Sequence, residues 1–238
     1  MHYHRYKYYY SIFFLLLFSV GSIASETEVV PAVSSNQKSI VVSLVPDTTV
    51  LDTYKRYIAS AYQQIGYKVI FKELPFGRAI NLGTKGQVDA MLIRISAIED
   101  QMPEFIRVPV LLAKGKAVLY CHKNVVCHET ELDNPNNIIG VFSGINFTNK
   151  VMAGKRASTY EISTFEQAEK MFLKQRLPYL ISLDKTDLGF YMKENPENFN
   201  SVVLAHYQAY HYIHRSKADL MPELTQALEE VMQDNELD

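Results

Sequence analysis

The chain has 238 residues, 47% hydrophobic and 21% charged, with 24 basic side chains against 26 acidic ones for a formal charge of −2. This is the balance of a globular protein, and it excludes an intrinsically disordered chain. The absence of a basic excess argues against a nucleic-acid binder, and ten Gly and nine Pro are too few for a collagen-like or low-complexity sequence. The length fits one large domain or two lobes of roughly 100 residues each.

The N-terminus stands apart. Met1–Tyr10 carries Arg5 and Lys7 and no acid, Ile12–Phe18 is wholly apolar, and Ser22-Ile23-Ala24 places small residues at a cleavage-site spacing. This is the three-part layout of a secretory signal peptide, expected over residues 1–24, and the apolar run is shorter than a bilayer span requires. The mature chain is therefore expected in the periplasm, beginning near Ser25.

Strand and helix patterns then alternate. Ser39–Val45 reads as a strand, and Val50, Leu51, Tyr54, Tyr57, Ile58, Ala61, Tyr62 and Ile65 recur at helical spacing until Gly66. Tyr67–Leu74 alternates as a strand with Val69 and Phe71 on one face, Phe76–Thr84 reads as a short helix, and Val88–Ile93 as a buried strand. A weak helix near Ala97–Met102 precedes a strand at Ile106–Leu112. The order β-α-β-α-β indicates an α/β layer with a largely parallel sheet.

A second such unit follows. Strands are expected at Ala117–Cys121, Ile138–Phe142, Thr159–Ser163 and Tyr179–Leu183, with helices from Ser143-Gly144 to about Ala153, at Phe165–Lys174 and at Lys185–Lys193. Val202–Tyr207 and Tyr210–His214 read as returning strands. Leu220–Met232 reads as an amphipathic closing helix with Glu223, Gln226, Glu229 and Glu230 on its polar face. Two α/β lobes joined by extended segments imply a cleft, a preferred place for small ligands.

Cys121 and Cys127 are separated by five residues, each followed by a His. In an oxidising compartment the simplest reading is a disulfide closing a small loop, with a zinc site as the alternative. The usual zinc spacing is shorter, and there is no second Cys pair.

The order of the pieces resembles the family 3 periplasmic solute-binding proteins of the amino-acid-binding type. Three stretches carry the likeness: Ile65-Gly66-Tyr-Lys-Val with Gly86-Gln-Val-Asp89-Ala90, then Ile139-Gly-Val-Phe-Ser143-Gly144, then Phe165-Glu-Gln-Ala168 with Tyr179-Leu-Ile-Ser-Leu-Asp184. The resemblance covers roughly residues 38–234. It implies a two-lobed periplasmic-binding-protein-like fold of type II, each lobe an α/β sheet layer. Lobe 1 would comprise 38–113 plus 207–238 and lobe 2 would comprise 114–206, with crossings near Leu112–Val118 and Val202–Tyr207. The implied function is a receptor closing over a small polar ligand, an amino acid or a related zwitterion or organic acid, for ABC-type uptake. A membrane permease or a signalling sensor would be its partner, with no cofactor, no nucleic acid and a monomeric chain. A dehydratase-like enzyme on the same fold is the alternative, and it would need a cleft acid such as Glu99 or Glu73.

Asp184 occupies the place where the family's strand-end Asp holds a ligand ammonium; otherwise it caps the following helix. The family's carboxylate-gripping Arg is replaced by Gln101. Arg94, at the end of a buried strand, must then reach into the cleft mouth or pair with an acid such as Glu99, because an unpaired buried charge is costly. Ser96 lies two residues beyond it. Arg78 follows a strand at the end where open α/β sheets bind ligands, and its other reading is a surface Arg. Ser143 and Gly144 precede a helix, so their backbone N–H groups are candidates to receive an anionic oxygen. Tyr54, Tyr120 and Tyr207 are candidate aromatic walls. His211 and His214 should face opposite ways on a strand, against a shared metal, and no catalytic residue or metal site is expected.

Overall fold

The computed structural model describes residues 38–45, 50–142 and 147–236. The proposed signal peptide, Ser143 and Gly144 lie outside these residues. Eight strands form one sheet in the order β2-β1-β3-β8-β4-β7-β5-β6. They are β1 (Lys38–Leu44), β2 (Tyr67–Glu73), β3 (Ala90–Ile95), β4 (Phe105–His122), β5 (Ile138–Phe142), β6 (Ser158–Ile162), β7 (Tyr179–Leu183) and β8 (Phe199–His214). The six α-helices are α1 (Leu51–Gln64), α2 (Phe76–Thr84), α3 (Phe147–Met152), α4 (Phe165–Leu173), α5 (Asp187–Glu194) and α6 (Met221–Glu236).

The outer pairs β1–β2, β1–β3, β5–β6 and β5–β7 are parallel, as the β-α-β order requires. The middle of the sheet is antiparallel. Here the structure departs from the sequence reading. Ile106–Leu112 and Ala117–Cys121 are parts of one strand, β4, and the two strands expected after Val202 are parts of one strand, β8. The two pair along nearly their whole length, with register shifts between Arg107 and Leu111, between Leu111 and Ala113, and between Ala117 and Val118. The first part of β4 lies beside the half of β8 that pairs with β3, and its last part pairs with β7. These two strands therefore link the β1–β3 half of the sheet to the β5–β7 half.

Local chemistry accounts for the elements. Gly66 follows α1 with φ +82°, and its N–H donates to the Gln63 carbonyl at 3.0 Å, a left-handed stop that a Cβ would disfavour. Asp89, in the quoted Gly86–Ala90 stretch, ties the sheet together. Its carboxylate accepts from the Val41 N–H at 2.9 Å, and its carbonyl accepts from the His214 N–H at 2.7 Å. Thr164 caps α4 by accepting from the Gln167 N–H at 3.1 Å, while the Gln167 side chain reaches back to the Ser163 N–H at 3.0 Å.

The closing helix packs where its pattern requires. Leu224, Ala227, Leu228 and Val231 are buried with β1, α1 and β3 residues such as Val42, Ile58 and Leu92, and Glu223, Gln226, Glu229 and Glu230 are exposed. Burying each of the two leucines stabilises this layer by about 2 kcal/mol. A second apolar cluster, including Val118, Ile162, Phe172, Leu180 and Met192, fills the space between α4, α5 and β5–β7. Cys121 and Cys127 are disulfide-bonded, so their sulfurs are not free to form the alternative zinc site. Among the described residues no helix is long and apolar enough to cross a membrane.

Candidate functional site

The C-terminal ends of β1, β3 and β7 meet the crossing strands around an inner cavity of about 160 Å³. From one lobe come Val45, Tyr54 of α1, Phe76 of α2, Arg94 and Ile95 of β3, and Ile98. Phe147 of α3, Leu183 of β7, Lys185 and Thr186 come from the other, and Ala113, Tyr207 and Ala209 from the crossing strands. Ligands of α/β sheets collect at such strand ends.

Arg94 is the principal charged group in this wall, with only 7% of its surface exposed. Its Nη1 donates to the carbonyl of its neighbour Ile93 at 2.7 Å, and its guanidinium carbon lies 5.6 Å from the Phe76 ring centroid. Nε and Nη2 are buried and have no hydrogen-bond partner among the described residues. Burial lowers its pKa to about 10, so it stays cationic at neutral pH. The alternative pairing with Glu99 does not occur. Glu99 accepts from the Tyr212 hydroxyl at 2.8 Å and lies 3.3 Å from Arg107 Nε. The 3₁₀ turn Ser96–Gln101 turns Glu99 toward β4 and β8 and Asp100 toward Lys150, so neither acid pairs with Arg94.

A wider groove of about 800 Å³ adjoins the cavity through Tyr207 and Lys185, lined also by Ser96, Lys116, Asp184 and His206. Asp184 is held from the crossing strand: its carboxylate accepts from the Lys116 N–H at 2.7 Å, and its own N–H donates to the Lys116 carbonyl at 3.0 Å. The Tyr207 hydroxyl and that carboxylate both border the space beside Gly115. Burial, and then the neighbouring Asp184, hold the phenol well above its usual pKa, so it remains a donor. A Cβ at position 115 would press on the Tyr207 ring end and come within 2.6 Å of Asp184 Oδ1, so only Gly115 admits this pair. Asp184 does not cap α5. That cap is Thr186, whose Oγ1 accepts from the Gly189 N–H at 3.2 Å, because the helix begins at Asp187.

Among the sequence candidates, Arg94, Tyr54 and Tyr207 share the inner cavity, and Ser96 and Asp184 share the groove. Arg78 is exposed on α2 and is not among the residues lining either space. Tyr120 is packed with Phe172 and Phe199 and borders a separate groove beside Asp184 and Phe190. Ser143 and Gly144 fall outside the described residues, and α3 is described over Phe147–Met152. His211 is wholly buried and His214 accepts from the Ser216 N–H, and among the described residues no cluster of metal-ligating side chains is found. The sequence reading missed Phe147, Lys185 and Gly115. A glycine between Lys114 and Lys116 inside a strand was a usable signal, since such a glycine often marks close approach of another group.

Near the cavity, Lys150 Nζ of α3 pairs with Asp100 Oδ1 of the Ser96–Gln101 turn at 2.8 Å.

No protein-family model and no curated protein sequence matches the chain. Solved structures do. The holo form of ArgBP from T. maritima superposes with a TM-score of 0.66 at 13% identity, covering 82% of this chain and 90% of that one. The substrate-binding protein of an amino acid ABC transporter gives 0.66 at 14% identity, covering 83% and 95%. AncCDT-1, an ancestral amino-acid-binding protein described as a precursor of cyclohexadienyl dehydratase, gives 0.65 at 12% identity, covering 83% and 91%. At these identities the likeness establishes the fold. The chain has the two-lobed α/β fold of amino-acid-binding proteins, as its sequence resemblance implied.

Proposed function

We propose that this protein is an exported solute-binding receptor that captures a small ligand in the interlobe cleft and closes over it. The observation that carries the reading is Arg94, a buried cation whose Nε and Nη2 have no hydrogen-bond partner among the described residues, on the wall of a cavity between the lobes. A buried guanidinium without an acid costs several kcal/mol, and a bound anionic group is the partner that offsets it. Asp184, Tyr207, Ser96 and Lys185 form the adjoining rim. The signal-peptide layout of residues 1–24 supports export to the periplasm, and the fold supports delivery to a membrane permease for ABC-type uptake.

Closure would bend β4 and β8 where they leave lobe 1 (38–113 with 207–238) for lobe 2 (114–206). An enzymatic reading asks for an acid in the cavity. Glu99 is engaged by Tyr212 and Arg107, and Glu73 is exposed at the end of β2, so neither supports it.

Thermal unfolding in the presence of amino acids, short peptides, polyamines and organic acids tests the receptor reading. A true ligand at one hundred times its Kd is expected to add about 2.7 kcal/mol of stability. If no member of that panel moves the transition, the reading fails.

A further inference from the structure

We infer that the ligand is an organic carboxylate with a compact apolar body, about the size of benzoate, and not a zwitterionic amino acid. The inference rests on the receptor reading and narrows its ligand class by three observations.

The first is the pattern of what is left unpaired. Nε and Nη2 share one edge of the planar guanidinium, while Nη1, at the other side, is already bonded to the Ile93 carbonyl. One free edge with two parallel N–H groups fits the two oxygens of a single carboxylate.

The second is charge. Among the described residues lining the inner cavity, the charged ones are Arg94 and Lys185, both cations. An ammonium brought in beside them would lose its hydration with no anion among the described lining residues to replace it. Asp184 borders the outer groove, and its carboxylate already accepts from the Lys116 N–H at 2.7 Å. Asp184 packs beside Tyr207 at Gly115, and Tyr207 lines both spaces.

The third is size and wall chemistry. Tyr54, Phe76, Ile93, Ile98, Phe147 and Leu183 surround a volume of about 160 Å³. A protein cavity of about 150 Å³ with such walls holds one benzene molecule. A six-membered ring or branched chain fills it and leaves the carboxylate at Arg94.

Isothermal titration calorimetry of the purified protein separates the classes. Benzoate, phenylacetate, cyclohexanecarboxylate and 4-methylpentanoate form the test series. Phenylalanine and leucine add an ammonium to a similar body, and benzamide and benzyl alcohol remove the charge. At least one carboxylate is expected to bind, with the matching amino acid and neutral analogue each at least about tenfold weaker, since unpaired charges and lost charge pairs weigh that much at a desolvated site. Arg94→Met is expected to weaken the carboxylate about thirtyfold or more. If circular dichroism shows that variant unfolded, Arg94→Lys replaces it, and loss of the two-toothed contact should still cost about tenfold. Amino acids binding as tightly as carboxylates, or neutral analogues doing so, overturn the inference and leave the receptor reading standing. The same holds if only ligands of another class from the broader panel bind. Silence across every compound overturns both.

Discussion

His211 and Arg94 sit on adjacent antiparallel strands, β8 and β3, and both are withdrawn from water, at 0% and 7% exposure. His211 has a partner for each ring nitrogen. Nδ1 lies 3.1 Å from the Leu92 carbonyl, which can only accept, so Nδ1 carries the proton. Nε2 then accepts from the Tyr62 hydroxyl at 3.1 Å. Burial drives the His211 pKa down to about 4, so the ring is neutral across the physiological range. Arg94, on the neighbouring strand, keeps its charge and has two nitrogens without a partner among the described residues. A buried polar group whose hydrogen bonds are complete stabilises a unique core. One whose hydrogen bonds are left open marks where a ligand completes them.

The largest effect expected from this contrast is acid sensitivity at the closed site. The folded pKa of His211, about 4, lies below the ordinary 6.5, so as pH falls the unfolded chain takes up the proton first. The stability associated with neutral His211 is present above pH 6.5 and lost as pH falls through 4, about 3 kcal/mol in all. Urea unfolding at pH 7, 5.5 and 4 should show that loss, and His211→Gln should flatten it. Parallel pH profiles for the two proteins would break the assignment. Tyr62→Phe comes next. It strands Nε2 as a buried acceptor without a donor and should cost about 1–3 kcal/mol at neutral pH.

The disulfide sharpens the contrast from a distance, because it constrains the chain without touching either site. Its loop spans a sequence separation of six, so reduction should cost only about 2 kcal/mol. The reduced protein should stay folded, since Cys121 remains paired in the sheet with Tyr179 and Asn200. Unfolding midpoints with and without reductant, together with thiol counts by alkylation, check this. Smallest of all is the exposed Lys150–Asp100 pair. Lys150→Ala should leave the unfolding midpoint unchanged in physiological salt, where such pairs contribute little.

The layers of the fold were legible in the sequence because burial imposes periodicity. The polar face Glu223, Gln226, Glu229 and Glu230 marked which side of α6 stays in water, and alternation named Val69 and Phe71 on β2. The long crossing strands were not legible as single elements. Lys114-Gly115-Lys116 and His206 interrupt the apolar pattern because they face the open groove, where a strand needs no apolar cover. Arg94 could be singled out as a charge at a buried strand end. Its lack of a partner could not, because Glu99 is drawn to Arg107 and Tyr212, residues distant in sequence and brought close only by the folded sheet. The capping role fell to Thr186 for a similar local reason: α5 starts at Asp187, two residues later than the Lys185 start expected from the sequence.

The most direct test of the central claim, that Arg94 is held open for a ligand at a cost to the empty protein, is the ligand-free stability of Arg94→Met. Equilibrium urea unfolding of both proteins at pH 7 gives it. Replacing an unpaired buried cation with an apolar side chain should raise stability by about 1 kcal/mol or more. A variant less stable than the parent by about 2 kcal/mol or more would show that the guanidinium is satisfied in the empty molecule, and that Arg94 belongs with His211 as part of the core.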